Sequence, residues 1–212
     1  MIKIENTHVD NIVRAVYSAR NAMNSWNKSD SDLNADTLGK NDLELAKKLS
    51  KAGNDHAKFI RMINVTCDIT APLYWYKEYD TYKVGTTANS CSTMHKIQAK
   101  EFTLDDFSHE HLIVDEDTST NYIGVLDFVI DSLNRARIKY LETKNKDYWW
   151  QMIQLLPSSY NQRRTVQLNY QVLKSMYFAR KDHKLDEWHT FCDWIETLPY
   201  FKEICLGGES DE

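Results

Sequence analysis

Hydrophobic positions along the chain alternate between two periods. Ile12, Val13, Val16, Tyr17 and Met23 recur at helical spacing and predict an amphipathic helix from Val9 to Met23. Asn24 to Lys40, rich in Asn, Ser and Asp, reads as a loop. A second helix carrying Leu43, Leu45, Ala46 and Leu49 follows, with Asn41 as cap, Glu44 three residues on, and Gly53 as its stop. From Phe59 the period changes to two: Ile63, Val65, Cys67 and Ile69 alternate with Asn64, Thr66, Asp68 and Thr70, the pattern of a strand with one buried face, closed by Pro72.

Residues 73 to 80 read as an aromatic helix and Thr103 to Asp117 as an acidic loop. Asn121 to Leu141 is a long helix whose Ile123, Leu126, Val129, Ile130, Leu133 and Ala136 face a core. A short aromatic helix runs from Tyr148 to Leu155, and Val166 and Leu168 mark a strand within Gln162 to Leu168. Two further helices follow, Tyr170 to Ala179 and Leu185 to Thr197, the second with a stripe of Trp188, Phe191, Cys192 and Ile195. The expected architecture is an α+β fold: a central sheet, antiparallel or mixed, with flanking helices, in one domain over residues 1–205 and a disordered acidic tail over 206–212.

Composition narrows the function. A net charge of −5 argues against tracking a phosphate backbone, and the basic clusters at Arg135/Arg137/Lys139, Arg163/Arg164 and Arg180/Lys181/Lys184 sit among carboxylates, so no nucleic-acid duplex is expected. Cys67, Cys91, Cys192 and Cys205 form no CxxC pair, and no apolar run has the length of a membrane span; a reducing, cytoplasmic setting and no membrane partner are the expectation. Six Trp and twelve Tyr point to a ring-binding pocket or an oligomer as well as to packing.

Thr81 to Lys96 fits neither period. Six Ser and Thr hydroxyls, Asn89, Gly85, Lys83, Lys96 and His95 fall within sixteen positions. Such a stretch either rings an anion with hydroxyls and backbone N–H groups or forms a strand and turn that satisfies its own backbone. His95 has two roles open to it, general acid or base near neutrality or a hydrogen-bonding side chain, and Cys91 is either a nucleophile or a small buried residue. Arg180 ends a predicted helix, where a cation suits the dipole; its sharper role is a fork to a phosphate. The histidines have no metal-ligand spacing, so no metal is expected.

Leu156-Pro157, Asn169-Tyr170-Gln171-Val172-Leu173, Arg180 and Leu185-Asp186-Glu187-Trp188 resemble the C-terminal block of the flavin-dependent thymidylate synthases, LP, a strand, then N-A-R-x-L-x-x-F-x-x-x-R, with the same spacing. Upstream, Ala71-Pro72-Leu73-Tyr74, Lys77-Glu78 and residues 81–96 are similar to the segment bearing the R-H-R-x-x-S-x-N-E-x-S-x-R-Y signature. In one register Thr87, Asn89 and Ser92 meet the Ser, Asn and second Ser, Ser90 replaces Glu, and Tyr82, Lys83 and Val84 replace R-H-R; a slip of one residue puts Lys83 on an arginine. Gln171 and Ile153 stand at two further arginine positions, and Gly53 to His56 is a faint match to the G-H-x-S-x-x-E-H entry. Asn24-Ser25-Trp26, Asp68 to Pro72 and Asp80 to His95 resemble a divergent branch found in phages and low-GC bacteria.

The resemblance implies a homotetramer that binds FAD and uses methylene-tetrahydrofolate and NADPH to methylate dUMP. Carried over by position, it implies Ser90, Ser92 and Arg180 as substrate-binding residues and Lys83, Thr87, Asn89, His95 and Asn169 as FAD-binding residues; the catalytic residue stays unassigned. Two functions follow. One is a flavin-dependent enzyme of pyrimidine nucleotide metabolism, transferring one carbon to dUMP or a related nucleotide. The other is a nucleotide- or ligand-binding protein on the same scaffold that has lost FAD and catalysis.

Overall fold

The structure, a computed structural model, describes residues 2–207. It is an α+β fold. Strands β1 (Lys3–Asp10), β2 (Asn64–Pro72), β3 (Thr87–Ser90) and β6 (Asn161–Asn169) form a sheet in the order β1-β2-β6-β3, and β4 (Val114–Asp115) pairs antiparallel with β5 (Thr120–Asn121). The α-helices are α1 (Ile12–Ser18), α2 (Lys40–Lys51), α3 (Leu73–Tyr79), α4 (Tyr122–Thr143), α5 (Lys146–Leu155), α6 (Tyr170–Arg180) and α7 (Asp186–Glu196). The four longer strands carry the chain between two compact units.

One unit comprises Ile69–Thr81 and Asn89–Arg164 with the start of the chain. Its core is the inner face of α4, where Leu126, Ile130, Leu133 and Ala136 pack with Met152 of α5 and with Phe102 and Phe107. The loop bearing Phe102 is pinned to α4 because the Asn134 amide accepts from Phe102 N at 2.9 Å and donates to Phe102 O at 2.8 Å. In α3, Trp75, Tyr76 and Tyr79 are buried, and the Tyr76 hydroxyl donates to Ile69 O at 2.8 Å.

The second unit comprises Ile4–Asp68, Tyr82–Ala88 and the chain from Thr165 on. Ile63, Val65 and Cys67 are buried there, as the alternation requires, and Trp188, Phe191, Cys192 and Ile195 form the buried stripe of α7. The loop before α2 is tied down by a buried ion pair between Arg20 and Asp42, with the Ser29 and Ser31 hydroxyls donating to Asp42 Oδ2 at 2.6 and 2.5 Å.

Two expectations are corrected. Residues from Val9 do not begin a helix: Val9 and Asp10 end β1, Asn11 turns through φ 71°, and only Ile12–Ser18 is α-helical before a 3-10 stretch over Ala19–Met23. Asparagine tolerates the left-handed region better than most residues, which lets the chain break there. Asn41 does not cap α2; the cap position is Gly39, and the side chain closing the end belongs to Asp30, which accepts from Asn41 N at 2.9 Å and Asp42 N at 3.1 Å. Helix α2 begins one residue before Asn41, leaving Asn41 inside the first turn with an N–H that needs an outside acceptor. After Pro199 the chain winds a π-helical turn over Lys202–Leu206, burying Ile204 and Cys205. Of the expected acidic tail, residues 208–212 lie outside the described residues.

Candidate functional site

Strand β6 delivers Asn169 to the start of α6, where its Oδ1 accepts from Val172 N at 3.0 Å and caps the helix. The Tyr82–Ala88 segment lies against this end. Gly85 has φ +79°, and a Cβ there would come 3.0 Å from Val172 Cγ2 and 3.3 Å from Asn169 Nδ2, so glycine both permits the turn and lets the backbone close on the cap. The Thr86 hydroxyl closes the turn by donating to Tyr82 O at 2.5 Å.

Tyr82 then meets the far end of α6. Arg180 Nε donates to the Tyr82 hydroxyl at 3.0 Å, and its guanidinium carbon lies 5.6 Å from the Tyr82 ring centroid and 4.9 Å from that of Trp188. His183 stands edge-on to Trp188 at 6.3 Å. A half-buried guanidinium between two aromatic rings is positioned before any ligand arrives, the preorganisation that bidentate phosphate recognition favours. In this unit the structure thus gathers Asn169 and Arg180, both half-buried, and the turn bearing Lys83 and Thr87, both exposed.

The remaining candidates belong to the other unit. Asn89 and Ser90 end β3 and are exposed; Cys91 N continues the pairing to Arg163 O at 2.9 Å, and Gln162 Nε2 donates to Cys91 O at 2.7 Å. The Ser92 hydroxyl accepts from His95 N at 3.0 Å, a side-chain turn that satisfies local backbone, and both residues are exposed. Cys91 is exposed rather than buried because it follows a sheet-edge strand; burial instead raises the thiols of Cys67 and Cys205 to about 12 and that of Cys192 to about 11.

Two positions read against the arginine pattern are also resolved. Ile153 packs onto the Phe102 and Leu133 core, and Gln171 keeps its Oε1 buried with no hydrogen-bond partner among the described residues. Tyr82, Gly85 and Trp188 are the site residues that position matching missed. Tyr82 differs from the pattern's arginine and so carried no motif signal, and Trp188 read as part of an apolar stripe. Among the described residues no cluster of three or more His, Cys, Asp or Glu could hold a metal ion, and no helix is long and apolar enough to cross a membrane.

The architecture is that of the flavin-dependent thymidylate synthases. It matches the crystal structure of the flavin-dependent thymidylate synthase ThyX from Helicobacter pylori complexed with FAD and dUMP at a TM-score of 0.70 and 16% identity, covering 96% of this chain and 97% of that one. A second structure of the same enzyme with FAD and dUMP gives 0.70 at 15% identity, covering 97% of each chain. The UMP/dUMP methylase PolB from Streptomyces cacaoi, bound with 5-Br dUMP, gives 0.64 at 12% identity over 93% of this chain and 89% of that one. No protein-family model matches the sequence, and no curated protein matches it.

Proposed function

We propose that the chain is a flavin-dependent enzyme acting on a pyrimidine nucleotide, with one-carbon transfer to dUMP or a related nucleotide as its reaction. The observation that carries this reading is Arg180, set on the last residue of α6 and steadied by the Tyr82 hydroxyl and the Trp188 face. A fold alone does not fix a function. A guanidinium held rigid beside a polar, exposed turn adds the chemistry a phosphorylated ligand needs.

The residues present fit a flavin dinucleotide by donor type. Lys83 and Thr87 offer an ammonium and a hydroxyl to solvent beside the Gly85 turn, and Asn169 keeps its Nδ2 turned to that turn while Oδ1 caps α6. Lys83, Thr87 and Asn169 would hold FAD, and Arg180 would hold the nucleotide. Flavin, when bound, supplies the redox chemistry, and the protein supplies orientation and charge. By analogy with the fold we further propose a cytoplasmic homotetramer.

A second reading is favoured by Gln171 and Ile153. Each stands where the sequence pattern calls for arginine; one turns its carbonyl inward and the other joins the core. A charge-assisted phosphate contact is worth about 1.5–3 kcal/mol, so two losses weaken the same ligands strongly unless lysines replace them. The alternative is therefore a nucleotide-binding protein that has lost FAD.

The experiment is a flavin spectrum of the purified protein, followed by titration of wild type and Arg180→Ala with FAD and dUMP. A flavin absorbance, and responses to both compounds that Arg180→Ala weakens, support the enzyme. A blank spectrum with no FAD response but a dUMP response lost in Arg180→Ala selects the binding protein, and no response to either compound overturns the flavin enzyme and dUMP as the bound nucleotide.

A further inference from the structure

Helix α2 and the chain before it border an open cavity of about 390 Å³ that lies within one unit and is lined by Arg20, Lys28, Asn41, Glu44, Leu45 and Lys48. That volume falls within the range of small-molecule sites, about 300–1,000 Å³. Asn41, Leu45 and Lys48 make one wall, because residues three and four apart share a helix face. Lys28 enters from a separate 3-10 turn, Trp26–Lys28, and Arg20 from the 3-10 stretch Ala19–Met23.

The charges do not balance. The chain carries a net charge of −5, yet this lining has three cations and one carboxylate. That carboxylate, Glu44, is held by Lys47, whose Nζ donates to it at 2.8 Å; Lys48 attracts it without pairing. Asp42 is committed to Arg20, whose Nε donates to Oδ1 at 2.6 Å, and Asp30, which also attracts Arg20, accepts from the N–H groups of Asn41 and Asp42. Lys28 and Lys48 are exposed and make no ion pair among the described residues.

Arg20 supplies an independent sign of use. It is 6% exposed and still lines the cavity, and the acceptor for its Nη1 is Ser25 O at 3.5 Å, beyond the usual 2.7–3.2 Å. Buried polar groups ordinarily spend their donors in full, so this one keeps hydrogen-bonding capacity for an oxygen that enters the cavity. No aromatic ring is among the lining residues, which leaves a base, a flavin or any other planar ring without a stacking face.

We propose that this cavity binds a small aliphatic dicarboxylate. Lys28 and Lys48 stand on different elements, an arrangement suited to two charges at opposite ends of a molecule rather than both on one phosphorus. Arg20 Nη1 donates to one carboxylate, and Leu45 meets the methylene chain. The proposal goes beyond the reading at Arg180, shares no residue with it and does not depend on it.

The test is calorimetric titration of the full-length protein, at fixed ionic strength, with succinate, glutarate, propionate, inorganic phosphate and glucose 6-phosphate. Expected is saturable binding of at least one of the two dicarboxylates, about tenfold or more tighter than propionate and unchanged in Arg180→Ala. Lys28→Gln and Lys48→Gln change exposed positions, so each should melt as wild type does while weakening the dicarboxylate about tenfold, the size of one charge-assisted contact. A Lys40→Gln, Lys51→Gln double variant removes two exposed lysines of the same helix that do not line the cavity, and should bind as wild type does. No saturable binding of either dicarboxylate overturns the proposal, as does a loss in the double variant equal to that in Lys28→Gln, which would reduce the effect to general charge. Propionate, phosphate or glucose 6-phosphate binding as tightly as the dicarboxylates overturns it too, since two separated carboxylates are then not what the cavity reads.

Discussion

Arg180 Nε donates to the Tyr82 hydroxyl at 3.0 Å, joining two residues 98 positions apart in sequence. The hydroxyl does not add a charge. It fixes the direction of a long, flexible side chain that would otherwise lose rotamer entropy on meeting a ligand.

Tyr82→Phe should therefore leave the fold intact, at a cost of about 1 kcal/mol for one half-buried hydrogen bond. The ring face remains, so the guanidinium keeps its stacking but loses its orientation. Under the proposed function, the affinity for dUMP falls several-fold with little change in melting temperature. Calorimetric titration beside a thermal melt checks this. An unchanged affinity would show that the ligand orients Arg180 without Tyr82.

Asp42 is fully buried, pairs with Arg20, and accepts from the Ser29 and Ser31 hydroxyls. Removing the carboxylate in Asp42→Ala takes the paired carboxylate from a buried guanidinium, leaving it only its weaker attraction to Asp30. Breaking such a pair on one side costs about 3–5 kcal/mol, a large share of the stability of a typical domain. The Arg20→Met, Asp42→Leu double variant should recover part of that loss, because the uncompensated charge is gone. Urea unfolding of the single and double variants decides; a double variant no more stable than Asp42→Ala would mean that the pair also sets the loop geometry.

The sequence announces elements whose burial is periodic and hides those whose contacts are not. Ile63, Val65, Cys67 and Ile69 alternate because one face of β2 is buried, and Leu126, Ile130 and Leu133 keep helical spacing because one face of α4 is buried. Strand β1 gave no such signal: all eight of its residues are exposed or half-buried without alternation, and sheet pairing through the backbone makes it a strand. At the proposed site, Asn169 and Arg180 entered the reading through the family resemblance. Tyr82 and Gly85 did not, because they reach Arg180 and Asn169 only through a turn that no local pattern specifies.

The four cysteines should separate sharply in reactivity. Cys91 is exposed, whereas Cys67, Cys192 and Cys205 are buried, with burial as the leading cause that lifts their thiols to about 12, 11 and 12. The thiolate is the reactive form, so access and ionisation act together. A disulfide-exchange reagent at pH 8 should titrate one thiol rapidly in the native protein and all four after unfolding, and raising the pH to 9.5 should expose no further fast thiol. Two fast thiols in the native state would mean that one buried site opens on the timescale of the assay.

Acid should loosen the start of α2 through Asp30. Its carboxyl is held below the ordinary aspartate range, chiefly by the backbone N–H of Asn41 and also by that of Asp42. A carboxyl lowered on folding adds stability that is present above its unfolded pKa, about 4, and is lost as the pH falls through the folded value. Asp30→Asn keeps an acceptor for the helix end but cannot titrate, so its urea midpoint should lie below that of wild type from about pH 5 upward and converge with it toward about pH 3. The neighbouring Gly39 fixes the geometry: a Cβ there would run into the Asp30 carboxylate and lie 2.5 Å from its carbonyl oxygen. Gly39→Ala should accordingly remove the same pH-dependent increment by displacing the carboxylate from the helix end. A gap between wild type and Asp30→Asn that stays constant from pH 3 to pH 7 would show that the negative charge on Asp30 adds nothing to the cap.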